Sequence, residues 1–269
     1  MRIYIPSRKR TATLKDRTLA QIPDTWLGQT TIVVCNDEVA EYRRSLDYNP
    51  KFKVVSVIGC EPGIAMTRMC IGRDAANANS QTFLMLDDDL KFFQRKGEDD
   101  YHLLPTTEGQ REIMFDSMMK TLTDYAHVAF SSREGNNHLP MGVAPCIVQT
   151  TRALRALGFQ TKAFNDCEHG RVEVMEDFDI QLQLLRKGYP NAVLAYWAHD
   201  QQMTNASGGC SLYRDHAMQE ASAQKLHDLH PNFVKLRTKQ NKTDKSGFGT
   251  RTEVTVYWKK ALESAHASN

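Results

Sequence analysis

Three consecutive aspartates are the residues in this chain best suited to chemistry. Asp87, Asp88 and Asp89 directly follow the apolar run 83–86, which we expect to form a buried strand. Carboxylates this close repel one another and are costly to hold beside a core without a counter-charge. A divalent cation supplies that charge, because Mg²⁺ and Mn²⁺ favour oxygen ligands. Alternation along an extended chain predicts that Asp87 and Asp89 face one way and Asp88 the other. A solvated acidic turn is the alternative.

A second acidic pair, Glu176 and Asp177, opens a predicted amphipathic helix over residues 176–187. Acidic side chains are favoured at a helix N-terminus, where the backbone N–H groups are free and the helix dipole is positive. This pair is therefore consistent with a simple helix start as well as with a catalytic role.

Single basic side chains add further candidates. Arg68 and Arg73 lie on a predicted helix over residues 62–79, and a plain surface position remains possible for both. His199 follows the last predicted core strand. A neutral imidazole ligates Mn²⁺ readily and Mg²⁺ poorly, so His199 is either a metal ligand or a histidine that stabilises a loop.

Short apolar runs alternate with helical patterns along the chain, which predicts an α/β fold with a mostly parallel sheet flanked by helices. In such sheets ligands bind at the carboxyl ends of the strands, where the aspartates would lie. The predicted strands are 3–5, 31–35, 52–58, 82–86, 128–131, 143–149 and 192–197, and the predicted helices are 62–79, 109–125 and 176–187.

Composition places the chain among ordinary globular proteins. It has 269 residues, 41% hydrophobic and 25% charged, which argues against a disordered chain, a coiled coil or a collagen-like repeat. No apolar run approaches the roughly 20 residues that cross a bilayer, so no membrane segment is expected. Six cysteines without a C-x-x-C pair indicate reduced, mostly buried thiols, and we expect a cytoplasmic protein.

The net charge of +2 conceals an uneven distribution. Residues 225–260 hold nine Lys and Arg against three Asp and Glu, with aromatic residues interleaved. Cations contact phosphates and aromatic rings stack on bases, so this pattern suggests nucleic acid, although a solvated basic tail would look the same. We therefore divide the chain into a catalytic domain, 1–224, and a basic C-terminal extension, 225–269. The predicted nucleic-acid contacts in the extension are Lys239, Lys242 and Lys245.

A strand that ends in D-x-D resembles the signature of glycosyltransferases with the A-type (GT-A) fold, a single Rossmann-like domain that binds a nucleotide-sugar through a metal. Three other segments resemble that family in order. They are the opening strand with Ile-Pro-Ser-Arg, the second strand with Cys-Asn-Asp-Glu, and a Gly-x-x-x-x-Arg element in which Thr67 and Met69 replace the family's Ala and Asn. The resemblance implies that the nucleotide-sugar, a UDP-sugar above all, contacts Pro6, Ser7, Arg8, Asp37, Arg68, Arg73, Asp88 and Arg214.

The same resemblance assigns chemical roles. An E-D pair at a helix start resembles the catalytic acids of inverting members, which makes Asp177 the general base for the acceptor hydroxyl and Glu176 its support. Mn²⁺ or Mg²⁺ would be held by Asp89, with help from Asp87 and His199, and would neutralise the diphosphate of the leaving group. Transfer would invert the anomeric carbon.

Size and motif order over residues 1–215 also resemble the small phage enzymes that decorate hydroxymethylated pyrimidines such as 5-hydroxymethylcytosine in DNA, including the group associated with TET oxygenases. DNA would then be the acceptor, with Arg133, Asn136 and Asn137 in a loop on the acceptor side. Three alternatives remain open. They are a sugar nucleotidyltransferase, a glycosyltransferase for a glycan or small molecule, and a non-enzymatic DNA-binding module. The oligomeric state is not specified.

Overall fold

A ten-stranded mixed sheet forms the centre of the computed structural model, which describes residues 1–97, 102–133, 146–201, 215–240 and 250–267. The strands of this sheet are β1 (Arg2–Pro6), β2 (Thr30–Cys35), β3 (Ser56–Cys60), β4 (Thr82–Leu86), β5 (Lys91–Arg95), β6 (Leu103–Pro105), β7 (His127–Ser132), β8 (Ile147–Gln149), β9 (Ala156–Gln160) and β10 (Asn191–Asp200). Their order is β3-β2-β1-β4-β9-β7-β10-β5-β6, and β8 also pairs with β10.

Helices cover both faces of this sheet. They are α1 (Thr11–Asp16), α2 (Thr18–Gln21), α3 (Asp24–Leu27), α4 (Val39–Asp47), α5 (Ile64–Asn77), α6 (Glu108–Thr121), α7 (Thr161–Asn165), α8 (Glu176–Arg186), α9 (His216–Leu229) and α10 (Trp258–His266). One apolar core includes buried residues of α4 and α6, and a second, on the opposite face, includes buried residues of α5, α7 and α8. No helix within the described part of the chain is long and apolar enough to cross a membrane.

The predicted α/β class with a mostly parallel sheet is confirmed. Strands β1, β2, β3, β4, β7 and β10 run in one direction, because each pairs in parallel with a neighbour or opposes the intervening β9. The carboxyl ends of β1, β2, β3 and β4 therefore meet at one edge, where the aspartates follow β4.

Antiparallel β9 lies between β4 and β7 and was not predicted. It approaches α6 closely at Gly158, where an added Cβ would lie 2.6 Å from the sulfur of Met118. The predicted strand over residues 52–58 is wrong in its first half. Pro50 begins a short 3₁₀ turn over 50–52, and β3 starts only at Ser56.

The C-terminal elements form a layer on α8, which we call the C-terminal layer. It consists of α9, a hairpin of β11 (Val234–Gln240) and β12 (Thr250–Val256), and α10. Apolar residues of α8, including Phe178, Leu182 and Leu185, share a core with Leu226 of α9 and Ala261 of α10. The expected boundary after residue 224 falls inside α9.

Candidate active site

The two acidic groups that are far apart in sequence converge on one arginine. Nε of Arg68 donates a hydrogen bond of 2.7 Å to Oε1 of Glu176. Burial opposes the charge of Arg68, but the neighbouring carboxylates of Glu176, Asp177 and Asp87 outweigh it and raise the pKa of the guanidinium. We call these three carboxylates the acidic centre. The end of β4 and the first turn of α8 thus lie together around a buried cation.

Local backbone geometry delivers Arg68 to this point. Gly63, at the N-cap of α5, has φ of +108°, a conformation that side chains with a Cβ rarely adopt. The helix then runs back along the sheet, and Arg68 lies in its second turn with only 7% of its surface exposed. Its guanidinium rests on the sulfur of Met85 in β4, 3.8 Å away. Helix α5 therefore points Arg68 at the carboxyl end of β4.

Two left-handed residues border the acidic centre. Met175 (φ +66°) immediately precedes Glu176. Arg155 (φ +62°) lies opposite Asp87, and its carbonyl accepts a 3.0 Å hydrogen bond from the backbone N–H of Asp87. Such conformations cost on the order of 1–3 kcal/mol in a non-glycine residue and cluster at functional sites. The chain therefore bends sharply at the start of α8, which supplies Glu176 and Asp177, and just before β9, where Arg155 meets Asp87.

Asp87 has the environment expected of an ion ligand. Its carboxylate makes no hydrogen bond to another side chain among the described residues. Burial, opposed by Arg68 and assisted by Asp89, raises the pKa of Asp87 to about 6. A negative charge at this position is therefore costly until a cation offsets it.

Asp88 and Asp89 do not alternate as expected for an extended chain, because β4 ends at Leu86 and the chain turns. Nη1 of Arg10 lies 3.1 Å from Oδ1 of Asp88 and 3.5 Å from Oδ2 of Asp89. Ser7 also donates to Oδ2 of Asp88 at 2.6 Å. The expectation that Asp88 faces away from Asp89 is wrong. Burial raises the pKa of both carboxyls.

Asp177 is more exposed than its neighbour Glu176 in the acidic centre. Its side chain is partly exposed, and Oδ1 accepts a hydrogen bond of 3.0 Å from the backbone N–H of Phe178. Arg68 and Arg152 both lie within electrostatic range of this carboxylate. A carboxylate that is held in place at a helix start and open on one side can accept a proton from a bound molecule.

His199 is fully buried on β10. The carbonyl of Leu154 accepts a hydrogen bond from its Nε2 at 3.1 Å, so the neutral ring presents a lone pair at Nδ1, and Nδ1 has no partner among the described residues. Burial, followed by the charge of Arg155, lowers the pKa of His199 to about 3. The same Arg155 lies in electrostatic range of Asp87 and Asp89.

Among the described residues, however, the donor atoms of Asp87, Asp89 and His199 are not grouped closely enough to share an ion as they stand. A close group of donor atoms does occur among the described residues at the end of β2. There the donor atoms of Cys35, Asp37 and Glu38 lie within 4.8 Å of one another. The pKa of Cys35 is raised by burial, which favours the protonated thiol over a metal-binding thiolate.

The other predicted donor contacts fall into two groups. Pro6, Ser7 and Arg8 stand at the carboxyl end of β1, and exposed Asp37 follows β2 at the same edge. Arg73, in contrast, is exposed farther along α5. Arg214 lies outside the described residues.

The predicted acceptor contacts are described only in part. Arg133 is exposed and pairs with Asp200 through a 2.8 Å hydrogen bond. Lys239 belongs to β11, but its side chain is outside the described part. Asn136, Asn137, Lys242 and Lys245 also lie outside the described residues.

Four arginines at this site were missed in the sequence. Arg10 contacts Asp88 and Asp89, and Nε of Arg17 donates to the carbonyl of Asp89 at 2.6 Å. The others, Arg152 and Arg155, precede β9. The spacing R-x-x-R before an apolar run was a usable signal, but β9 itself was not recognised, so nothing placed those arginines beside the aspartates.

The chain resembles several solved structures at low sequence identity. No curated protein matches the chain. Solved structures that resemble it include S. aureus TarS 1–349 in complex with UDP (12% identity, TM-score 0.44, covering 85% of this chain and 66% of that one). Another is 4-diphosphocytidyl-2C-methyl-D-erythritol synthase from Anaerococcus prevotii (11% identity, TM-score 0.43, covering 84% and 94%).

The family assignment rests on a family model, which spans the sheet, the aspartates and the Glu-Asp helix. The model of the TET-associated glycosyltransferases matches residues 1–209. That stretch contains β1 to β10 and α1 to α8, and it ends before the C-terminal layer begins. The chain belongs to the TET-associated glycosyltransferase family.

Proposed function

We propose that this glycosyltransferase moves a sugar from a nucleotide-sugar, a UDP-sugar first of all, to the hydroxymethyl group of a modified pyrimidine in DNA, with inversion. The observation that carries the proposal is the meeting of Asp87 and Asp177 around Arg68. Donor chemistry and acceptor deprotonation require acidic groups at one point, and the fold brings together two that lie 90 positions apart in the sequence.

The aspartates suit a divalent metal as part of this proposal. Asp87 is a half-buried carboxylate without a side-chain hydrogen bond among the described residues and with a raised pKa, and Asp89 lies in electrostatic range of it. Mg²⁺ commonly takes one or two carboxylates and completes its shell with substrate phosphates, so Asp87 and Asp89 suffice as protein ligands. His199, through Nδ1, is the further candidate. Mn²⁺ or Mg²⁺ would supply charge neutralisation for the departing nucleoside diphosphate.

The chain's own residues perform the remaining steps. Asp177 accepts the proton of the acceptor hydroxyl as that oxygen attacks the anomeric carbon from the face opposite the leaving group. A single displacement of this kind inverts the configuration. Arg68 holds Glu176 beside Asp177, and the rigid pair keeps the base at one distance from the acceptor.

DNA as acceptor is supported by the charge distribution. The basic segment carries exposed Lys235 and Arg237 on β11, and α9 and α10 attach this hairpin to α8. A duplex bound there would be next to the helix that begins with Glu176 and Asp177. A hydroxymethyl group in the major groove, or on a flipped base, is a primary alcohol that Asp177 is suited to deprotonate.

The test is a transfer assay with DNA that contains 5-hydroxymethylcytosine, a panel of UDP-sugars and Mn²⁺. We expect a glycosylated nucleoside in the digested DNA by mass spectrometry, and an inverted linkage by NMR. Unmodified DNA is the matched control. Pyrophosphate formed from UTP and a sugar 1-phosphate would instead identify a nucleotidyltransferase, and transfer to glycans alone would exclude DNA as acceptor.

A further inference from the structure

The C-terminal layer contacts α8 at three points, and it lies beyond residue 209, where the family match ends. At the first turn, the ring of Trp258 meets Phe178 edge-on, with centroids 5.5 Å apart. In the same turn, Asp179 accepts a hydrogen bond from His230. At the last turn, the guanidinium of Arg186 lies over the ring of Phe233 at 5.6 Å. The helix that carries the candidate base is therefore anchored by a part of the chain that the family model does not include.

The central contact is a buried, fully satisfied network. Asp179 is 2% exposed and His230 is 0% exposed, and their Oδ1 and Nε2 atoms are 2.7 Å apart. Nε of Arg171 donates to Oδ2 of Asp179 at 3.0 Å, and Gln183 donates to the same oxygen at 3.1 Å. A buried carboxylate with this many donors has one orientation, because any rotation leaves a charged oxygen unpaired.

The contacts of His230 determine which ring nitrogen carries the hydrogen. Nε2 lies 2.7 Å from Oδ1 of Asp179, a carboxylate oxygen that only accepts, so the hydrogen is on Nε2. Nη2 of Arg171 lies 3.3 Å from the same Nε2, but it donates to Oδ1 of Asp179. Nη1 of Arg186 donates to Nδ1 of His230 at 3.3 Å. His230 thus links the first and last turns of α8.

The candidate base is two residues from this network. Asp177 precedes Phe178, whose ring contacts both Trp258 and the guanidinium of Arg152, which lies 4.8 Å from its centroid. The backbone N–H groups of Phe178 and Asp179 both donate to the carbonyl of left-handed Met175. Fixing the side chains of Phe178 and Asp179 therefore fixes the turn from which Asp177 projects.

We propose that His230 and Trp258 are positioning residues for the Asp177 base, and that the C-terminal layer is thereby an integral part of the catalytic centre. This inference rests on the proposed function for Asp177. Through α8, the layer positions the residue that deprotonates the acceptor. Among the described residues, it makes no contact with the aspartates after β4, which serve donor binding.

Kinetics of full-length variants test the proposal. His230→Ala removes the donor to Asp179, His230→Gln keeps an N–H donor, and Trp258→Ala removes the ring against Phe178. We expect kcat of His230→Ala to fall roughly 10- to 100-fold, since small misplacements of a reacting group have effects of this size. The KM for the nucleotide-sugar should change less than about twofold. His230→Gln should recover most of kcat. Glu263→Gln, at an exposed residue of α10, is the matched control and should equal the wild type.

Several outcomes would overturn the inference. They are an unchanged kcat in a folded His230→Ala protein, an equal loss in His230→Gln, or a rise in donor KM as large as the fall in kcat. If His230→Ala does not fold, Trp258→Ala, at a partly exposed residue, provides the same readout.

Failure of the proposed function is distinguishable from failure of this inference. If the wild type transfers no sugar, the proposed function fails, and hydrogen exchange still tests the anchoring. His230→Ala should speed exchange at the amides of Phe178 and Asp179 at least about tenfold relative to Glu263→Gln. Equal exchange in the two variants would overturn the inference.

Discussion

Nε of Arg68 and Oε1 of Glu176 lie 2.7 Å apart, although 108 positions separate them in the sequence. Both residues are less than 10% exposed. The bond joins α5 to α8 across the carboxyl edge of the sheet, and it keeps a cation between the carboxylates of Asp87 and Asp177. A buried ion pair contributes little net stability when both partners are present, but it leaves a costly charge when one is removed.

Removing either partner of this pair should therefore destabilise the fold more than removing both. We expect Arg68→Ala and Glu176→Ala each to lower the free energy of unfolding by about 3–5 kcal/mol. The double variant should lose less than the sum of the two. Urea unfolding measures these energies, with Arg73→Ala, on the exposed side of the same helix, as control. An Arg68→Ala protein as stable as Arg73→Ala would contradict the role of the pair.

Asp177 should matter for turnover and not for folding. Its carboxylate is partly exposed, so Asp177→Asn leaves the packing intact while removing the proton acceptor. General-base catalysis contributes typically about 10²–10⁴-fold, and we expect kcat to fall by that factor with nucleotide binding retained. Titration calorimetry with UDP and Mn²⁺ checks the retained binding.

The control for Asp177 is Glu173→Gln, an exposed carboxylate four residues earlier. It should leave turnover as in the wild type. A kcat for Asp177→Asn within about tenfold of the wild type would remove Asp177 from the role of base.

The local elements of this fold were largely predictable. β4 was predicted to the residue, and the predicted helix over 176–187 is one residue longer than α8. Both have strong, uninterrupted apolar patterns with clear ends. The hairpin of β11 and β12 was not predicted, and it forms a separate two-stranded sheet within the segment interpreted as a basic extension. β9 was not predicted either, because it is a short antiparallel strand inserted between strands of a parallel sheet and its five residues show no clear periodicity. Strand pairing between distant segments decides such insertions.

The site was predictable as separate pieces. Acidic residues after a buried strand and at a helix start are visible in the sequence, and so is Arg68 as a candidate. That Arg68 contacts Glu176 is a tertiary fact with no local signal. The same holds for Asp179, whose buried network with Arg171 and His230 joins residues up to 59 positions apart.

Asp87 should reduce stability in a pH-dependent way. Its folded pKa, about 6, exceeds the usual 3.8, so its ionised form is disfavoured in the folded state. The resulting loss in the free energy of unfolding is absent below pH 3.8 and grows between pH 3.8 and about 6. Above that it is complete, at most about 3 kcal/mol. Without metal, Asp87→Asn should therefore be more stable than the wild type at pH 7 and equally stable near pH 3.5.

Added Mn²⁺ should reverse this difference if Asp87 is a ligand. The ion binds the folded wild type and stabilises it, whereas the amide of Asp87→Asn is a much weaker ligand. Melting temperatures across pH, with and without Mn²⁺, measure both effects. Asp47→Asn, an exposed carboxylate on α4, is the control. A difference between the wild type and Asp87→Asn that does not vary from pH 4 to 7 would contradict the burial of a charge at this site.

DNA binding through the C-terminal layer should depend steeply on salt. Each phosphate contact made by Lys or Arg releases counterions, so the affinity falls with a slope of about −0.9 per contact on a double-logarithmic plot. Lys235 and Arg237 are exposed and lie two residues apart on β11, so both side chains point to the same face of the hairpin. Lys235→Ala/Arg237→Ala should therefore make the slope shallower by roughly 0.9 for each phosphate that these two side chains neutralise.

The control is Lys162→Ala, at an exposed lysine on α7, which should leave the slope unchanged. Fluorescence anisotropy with a labelled duplex between low and moderate salt gives the slopes. Equal slopes in the wild type and the double variant would place the DNA elsewhere on the protein.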